Sequence, residues 1–413
     1  MKNNNTKPFY KTSIPSDWKV KRLGQLFDFK NGINAGKESY GTGVKFINVM
    51  EIIYNDSFTT EKITGTVQIT EEQKQLYLVK NGDVLFNRTS ETTDEIGLTA
   101  VYYGDEEVVF GGFVIRGRPI DGSINDNFKR YCFRSKIVRD QIIKGGQGAI
   151  RTNIGQGDLE KVNVPLPPLK EQLDIAHILG LMDSVINKND QLIVQKKLRK
   201  KWLMQNLLTG KKRLKGFGGE WKEYHLGELF KERNETKYFD LPLLSIGASG
   251  IYPQSDSIKK DNSNEDKLKY RRICPGDIGY NTMRMWQGRS ALSSLEGIVS
   301  PAYTIVTPKQ NADSLFFSYL FKMPKLTNLF WRNSQGLVDD TLNCKFKDFA
   351  IVRVYLPDTK KEQIAIAQVL QAADKEIQLL KAKTDKLREQ KKGMMQVLLT
   401  GKKRLKMDNE YKQ

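Results

Sequence analysis

Two guanidinium groups, two amides and an indole fall within the short stretch Asn281-Thr282-Met283-Arg284-Met285-Trp286-Gln287-Gly288-Arg289. Arginine pairs bidentately with guanine, and asparagine or glutamine with adenine. The set suits base edges and phosphates, with Asn281, Arg284, Trp286, Gln287 and Arg289 as candidate contacts. The corresponding place earlier in the chain, Asn87-Arg88-Thr89-Ser90-Glu91-Thr92-Thr93, is also polar but differs in sequence; Asn87, Arg88, Thr89 and Ser90 are its candidates. A second matched pair of loops is Gly145-Gly146-Gln147-Gly148-Ala149-Ile150-Arg151 and Arg332-Asn333-Ser334-Gln335-Gly336. Their glycines let backbone approach a ligand closely. Lys144, Gln147, Arg151, Arg332 and Gln335 join the candidates. For any one of these side chains, simple solvation is an equally good description.

Residues for catalysis are harder to find. Leu166-Pro167-Pro168-Leu169 lacks the polar acceptor and the aromatic of an amino-methyltransferase motif. Phe110-Gly111-Gly112-Phe113 is a faint echo of a methyl-donor loop and reads better as a strand bend. No GxxxxGK[ST] or HExxH occurs. Pro357-Asp358 with Glu362 lacks the E-x-K that would complete a nuclease carboxylate cluster. His177 and His225 are the only histidines, and Cys132, Cys274 and Cys344 are scattered. A multi-histidine metal centre and a disulfide framework are both excluded, and a reducing cytoplasm is expected. No catalytic, cofactor-binding or metal-ligating residue is assigned.

The elements that must position the polar loops show in an internal repeat. Leu207-Leu208-Thr209-Gly210-Lys211-Lys212-Arg213-Leu214-Lys215 recurs without change 191 positions later, from Leu398 to Lys406. The same offset carries Glu171-Gln172 onto Glu362-Gln363 and Asp183 onto Asp374. Upstream the match is looser and its offset drifts: Trp18-Lys19 with Trp221-Lys222, and Gly82-Asp83 with Gly276-Asp277. The chain is therefore two units, each a variable globular half and a tail of fixed length. The boundaries are 1–168 and 216–359 for the variable halves, and 169–215 and 360–413 for the tails.

The tails read as long helices. Apolar residues recur at heptad spacing: Ile175, Leu179, Met182, Ile186, Ile193 and Leu203 in the first, and Ile366, Leu370, Ile377, Leu380, Leu387 and Met394 in the second. Such spacing over about five heptads argues for a coiled coil, and equivalence of the two halves favours an antiparallel pair. Gly210 and Gly401 suit helix stops. Asn189, Thr384, Lys196, Lys200 and Lys391 interrupt the rows. Two explanations stand: polar residues that fix register, or places where the seam opens toward another protein. The variable halves read as mixed α/β, with strands at Val44–Val49, Val108–Phe110 and Val299–Val306, turns at Gly82-Asp83 and Gly276-Asp277, and Trp18 and Trp221 in the cores.

Of 413 residues, 67 are Lys or Arg and 48 are Asp or Glu, a net charge of +19. That surplus points to a polyanion, most simply nucleic acid. The tails hold much of it, +7 over 169–215 and +8 over 360–406. No apolar run is long enough for a membrane span, and Met1 to Pro8 has no apolar stretch of a signal peptide. A soluble, cytoplasmic protein is expected.

The alternation of variable half and repeated helix resembles the specificity (S) subunit of type I restriction–modification systems. The residues that carry the resemblance are Pro165-Leu166-Pro167-Pro168-Leu169-Lys170-Glu171-Gln172 before the first helix and Met204-Gln205-Asn206-Leu207-Leu208-Thr209-Gly210-Lys211 at its close. Their second copies are Leu356-Pro357 with Lys361-Glu362-Gln363, and Met395-Gln396-Val397-Leu398-Leu399-Thr400-Gly401-Lys402. Asp358-Thr359 replaces the second proline pair, a mild departure. The resemblance implies an α+β fold with two target recognition domains separated by two long helices in an antiparallel coiled coil. It implies that each recognition domain reads half of a bipartite site in double-stranded DNA and that the helices set the spacer. Two methylation subunits carrying S-adenosylmethionine would flip out adenines for N6 methylation. Two restriction subunits using ATP and Mg2+ would complete the nuclease. This bacterial or archaeal chain would supply address and assembly, with no cofactor of its own. The competing readings are a recognition fragment of a fused methyltransferase–nuclease and a basic coiled-coil scaffold that reads no sequence.

Overall fold

The computed structural model describes residues 5–148, 151–247, 250–256, 266–338 and 341–405. Ala149 and Ile150 of the first glycine-bearing loop, and the tail from Lys406 onward, lie outside the described residues. The chain divides into two compact units, Met1–Asn189 with Lys383–Gln413, and Asp190–Ala382. The sequence boundaries at 168/169 and 359/360 coincide with the starts of the long helices, Leu169–Leu207 and Lys360–Leu398. The compact units instead divide each helix part-way along.

In the first unit the main sheet has the order Phe27–Asn31, Val114–Pro119, Val84–Asn87, Thr99–Tyr102, Ser57–Phe58. Its first four strands are antiparallel neighbours, and the last joins in parallel. Tyr40–Ile47 lies between Val108–Phe110 and Gly65–Val67 in a second sheet. The main sheet of the second unit repeats the first four strands as Phe230–Glu232, Tyr303–Pro308, Ile278–Asn281 and Ser290–Leu292. The expected strand over Val299–Val306 is two strands, Gly297–Val299 and Tyr303–Pro308. A turn at Ser300, closed by Tyr303 N–H to the Ser300 carbonyl, separates them. The Gly-Asp turns form as expected: Gly82 and Gly276 have φ of +84° and +91°, where glycine is favoured. In both, the next aspartate is buried and clamped by an arginine, Asp83 by Arg118 at 2.8 Å and Asp277 by Arg233 at 2.7 Å.

A two-stranded ribbon closes each recognition segment: Lys19–Arg22 with Asn163–Leu166, and Trp221–His225 with Arg353–Pro357. It leads directly into the helix start. In the first unit, Trp18, buried to 1%, donates from Nε1 to Glu171 Oε2 at 3.1 Å. Arg404, just past the second helix, donates to both oxygens of Glu171 at 2.9 and 2.6 Å. In the second unit Arg213, just past the first helix, donates to both oxygens of Glu362 at 2.6 Å and lies over the Trp221 ring. About three turns further along, Asp183 holds Lys391 at 2.5 Å and accepts from Tyr131 Oη at 2.7 Å. Asp374 likewise accepts from Lys200 at 2.6 Å and Tyr319 Oη at 2.8 Å. Burial pushes both phenols up from their ordinary pKa, so both remain protonated donors. Gln172 and Gln363 complete the match. Each accepts from a backbone N–H at the start of a short helix, Asn125 at 2.8 Å and Asp313 at 3.0 Å.

These pairs fix the helix direction. In each unit, rising numbers on one long helix meet falling numbers on the other, so the packed segments are antiparallel. Ile175, Leu179, Ile186, Ile193, Ile366, Leu370 and Ile377 are buried. Met182, Leu203, Leu380, Leu387 and Met394 are half-buried. The seam residues nearest each helix start do more than meet the other helix. Ile175 and Leu179 enter the core of the first recognition segment with Leu398 and Leu399, and Ile366 and Leu370 enter the second with Leu207 and Leu208. Full burial of such a side chain contributes roughly 1.5–3 kcal/mol. Lys196, Lys200 and Lys391 cross to Glu376, Asp374 and Asp183 within their own units, so these lysines pair inside the helix pair. Thr384 is fully buried. Gly210 and Gly401 take φ of +70° and +66° and end the helices.

Candidate nucleic-acid interface

In the first unit the two polar loops are tied together. The Ile154 N–H donates to the Arg88 carbonyl at 3.0 Å, and Gln147 and Asn153 exchange two backbone bonds. Thr89 Oγ1 donates to Asn153 Oδ1 at 2.6 Å. Arg88, half-buried, donates to the Gly112 carbonyl at 3.2 Å. Lys144, Gln147 and Arg151 are exposed, with Arg151 3.2 Å from Glu91 across the gap between the loops. Two of the candidates point inward. Asn87 is fully buried and donates to the Glu95 carbonyl at 3.0 Å. Ser90 is buried and donates to Glu95 Oε2 at 2.8 Å. Burial removes both from direct contact with a base; they hold the loop's shape.

The second unit repeats the arrangement. The Cys344 N–H donates to the Thr282 carbonyl at 2.9 Å, and Gln335 and Asn343 exchange two backbone bonds. The 281–289 loop closes on itself through Asn281 N–H to the Arg289 carbonyl at 3.0 Å. Asn281 Oδ1 caps the Met283 N–H, and Trp286 Nε1 donates to the Met283 carbonyl. Gly288, at φ +72°, sits against Thr327 of the helix Pro324–Asn333. That helix ends at the second polar loop, so one element supports both. Gln287, Arg289, Arg332 and Gln335 are exposed, while Asn281, Arg284 and Trp286 are half-buried. Gln335 Nε2 is held by Asp348 at 2.9 Å. Beside the start of the 281–289 loop, between Thr282-Met283 and the segment from Asn343 to Lys347, lies a recess of about 500 Å3, lined also by Asn234, Arg271 and Thr304.

Sequence reasoning missed Arg271, Asn343, Lys345 and Lys347 of that recess. The match of Asn153 with Asn343, each a few residues past its glutamine, was the available signal. It also missed a groove of about 750 Å3 in the first unit, whose lining includes Lys11, Arg134, Lys136, Arg388, Lys392 and Lys402. Only Asp140 opposes these cations among the lining residues. The catalytic echoes have structural uses. Phe110-Gly111-Gly112-Phe113 is the turn between Val108–Phe110 and Val114–Pro119. Glu362 is buried in its pair with Arg213, and Asp358 pairs with Lys222 at 3.0 Å. Burial pushes the Cys344 thiol up to about 12 and raises that of Cys132 as well, so neither is an activated nucleophile. No group of three or more metal-binding side chains occurs among the described residues. None of the helices among them is long and apolar enough to cross a membrane.

Residues 15–196 match the family described as the type I restriction modification DNA specificity domain. The chain is 27% identical to a Methanocaldococcus jannaschii protein assigned provisionally as the type I restriction enzyme MjaX specificity subunit, over 95% of both chains. It is 23% identical to the MjaVIII specificity subunit of the same organism, over 98% of this chain and 97% of that one. Its fold is similar to the type I restriction–modification S subunit of M. genitalium, with a TM-score of 0.56 at 15% identity over 99% of each chain. A chain from a structure concerned with complex assembly and conformational transition of the type I R-M system gives 0.60 at 15% identity, over 95% of this chain and all of that one.

Proposed function

We propose that this chain is a specificity subunit of the type I restriction–modification family and reads a bipartite duplex site with one half assigned to each recognition segment. The observation that carries the reading is the duplicated loop pair. In both units a polar loop after a central strand is tied by the same backbone bonds to a second polar loop bearing glutamine and glycine. Conserving the frame while changing the side chains is what two readers of different sequences require. In the first unit Arg88, Thr89, Lys144, Gln147 and Arg151 remain the candidates. In the second they are Asn281, Arg284, Trp286, Gln287, Arg289, Arg332 and Gln335.

The helix pair is the spacer ruler in this reading. Each helix is about 58 Å long, from 39 residues at 1.5 Å each. Recognition units on one face of B-DNA sit about 34–36 Å apart or more. The basic surface supplies the sequence-independent part of binding through phosphates. Chemistry comes from partners: two methylation subunits with S-adenosylmethionine, and two restriction subunits using ATP and Mg2+ when the nuclease assembles. The chain's own work is address and scaffold.

The test is expression with the cognate methylation subunit in a methylation-free host, followed by single-molecule sequencing. Methylated adenines within one bipartite motif, two fixed halves around a spacer of constant length, are expected. Methylation without a motif, or methyl transfer by the rigorously purified chain alone, overturns the reading.

A further inference from the structure

Asn153 and Asn343 hold the same place in the two units but end in different states. The Asn153 amide is satisfied locally: Oδ1 accepts from Thr89 Oγ1 at 2.6 Å, and Nδ2 donates to the Arg151 carbonyl at 3.2 Å. Asn343 is fixed by the same pair of backbone bonds, at 3.0 and 2.8 Å, to its glutamine. Counting from the matched asparagines Asn87 and Asn281, the position of Thr89 is taken by Met283. A thioether has no proton to donate. Asn343 Oδ1 is accordingly buried with no hydrogen-bond partner among the described residues. A buried acceptor left in that state is costly to the fold, and a donor supplied by a ligand removes the cost.

Both Asn343 and Met283 line the 500 Å3 recess beside the 281–289 loop. Lys345 and Lys347 are exposed beside it, placed for phosphate. Arg271 is held in the wall by Glu232 at 2.7 Å. Met283 is 43% exposed and unbranched, so it shifts aside with little resistance. We propose that Asn343 is a specificity-determining residue for the half-site read by residues 216–359, its amide oxygen accepting from the exocyclic amine of an adenine or cytosine in the major groove. In the first unit Thr89 already donates to the Asn153 oxygen, so no acceptor is left unsatisfied there for a base to fill. The inference rests on the assignment of residues 216–359 as a base reader.

The experiment compares three full-length chains, each with the cognate methylation subunit, by methylome sequencing. They are the wild type, Asn343→Ala and Met283→Thr. The threonine rebuilds the internal donor of the first unit and competes with the base while keeping the asparagine. Both variants should relax one and the same position of one half-site, with discrimination there falling roughly 5- to 150-fold, and leave the other half-site unchanged. An unchanged motif in both, or equal loss in both half-sites, overturns the role of Asn343. If Asn343→Ala fails to assemble, Met283→Thr decides alone. A wild-type complex that methylates without any bipartite motif overturns the underlying DNA-reading assignment instead, so the two failures are distinct.

Discussion

Asp183 and Asp374 occupy equivalent positions but carry different loads. Asp374 balances Lys200 and accepts a hydrogen bond from Tyr319. Asp183 balances Lys391, accepts a hydrogen bond from Tyr131 and also faces Arg130 at 3.3 Å. Removing Asp183 leaves two cations close together, with Asp56 3.0 Å from Arg130 and 3.9 Å from Lys391 as their remaining balance. Breaking a buried pair costs about 3–5 kcal/mol, and partial exposure reduces that. Asp183→Ala should therefore lower unfolding stability by about 2–3 kcal/mol, and Asp374→Ala by less, as measured by urea denaturation of each variant. Equal losses would remove Arg130 from the account. In the polar loops the expected effect is on specificity. Replacing Arg284, Gln287 and Arg289 with alanine should relax only the half-site of residues 216–359, at about 1–3 kcal/mol per lost bidentate contact. The methylome of the variant is the measurement; loss in both half-sites together would place base reading elsewhere. Which loop residues point inward was not legible in the sequence. Asn87 and Arg88 are adjacent and both polar, yet one is buried against Glu95 and the other reaches Gly112, because strand geometry alternates the two faces.

The long helices were legible because an unbroken 191-residue offset and a heptad pattern agree. What they bind was less so. Lys196, Lys200 and Lys391 look like faults in an apolar row, and only the opposite helix reveals their carboxylate partners. These three lysine positions are places where the two helices pair with each other. The structure also changes the engineering of the ruler. Each helix begins in one compact unit and ends in the other, held by an arginine–glutamate pair at its far side. A heptad added to the first helix alone, between residues 185 and 205, shifts its end by ~10 Å while the second helix keeps its length. That variant should be destabilised. A matching heptad in the second helix, between 376 and 396, should restore stability and lengthen the spacer by about three base pairs. Thermal unfolding and methylome mapping read the two outcomes. A spacer unchanged in the doubly extended chain would end the ruler proposal.

At the scale of the molecule, charge and duplication work together. Lys197 and Lys201 are exposed on the first helix, in a segment of net charge +7. If they meet phosphates, changing both to alanine should weaken binding evenly across sequences. The dependence of log affinity on log salt should become shallower by roughly one unit per lost contact. Titrating specific and unrelated duplexes at several salt concentrations makes the comparison, and a change confined to the specific duplex would argue against a backbone role.

The doubled pairs Glu171–Arg404 and Glu362–Arg213, with Asp183–Lys391 and Asp374–Lys200 inside them, have a hereditary consequence. All eight side chains lie in the repeated tails. A gene exchange that trades the coding segment for residues 216–359 at its flanking repeats keeps every one of these partners. The incoming segment must bring a tryptophan where Trp221 stands, a tyrosine where Tyr319 stands and an apolar core that receives Leu207, Leu208, Ile366 and Leu370. On the proposed reading, such an exchange replaces one half of the address and leaves the frame intact.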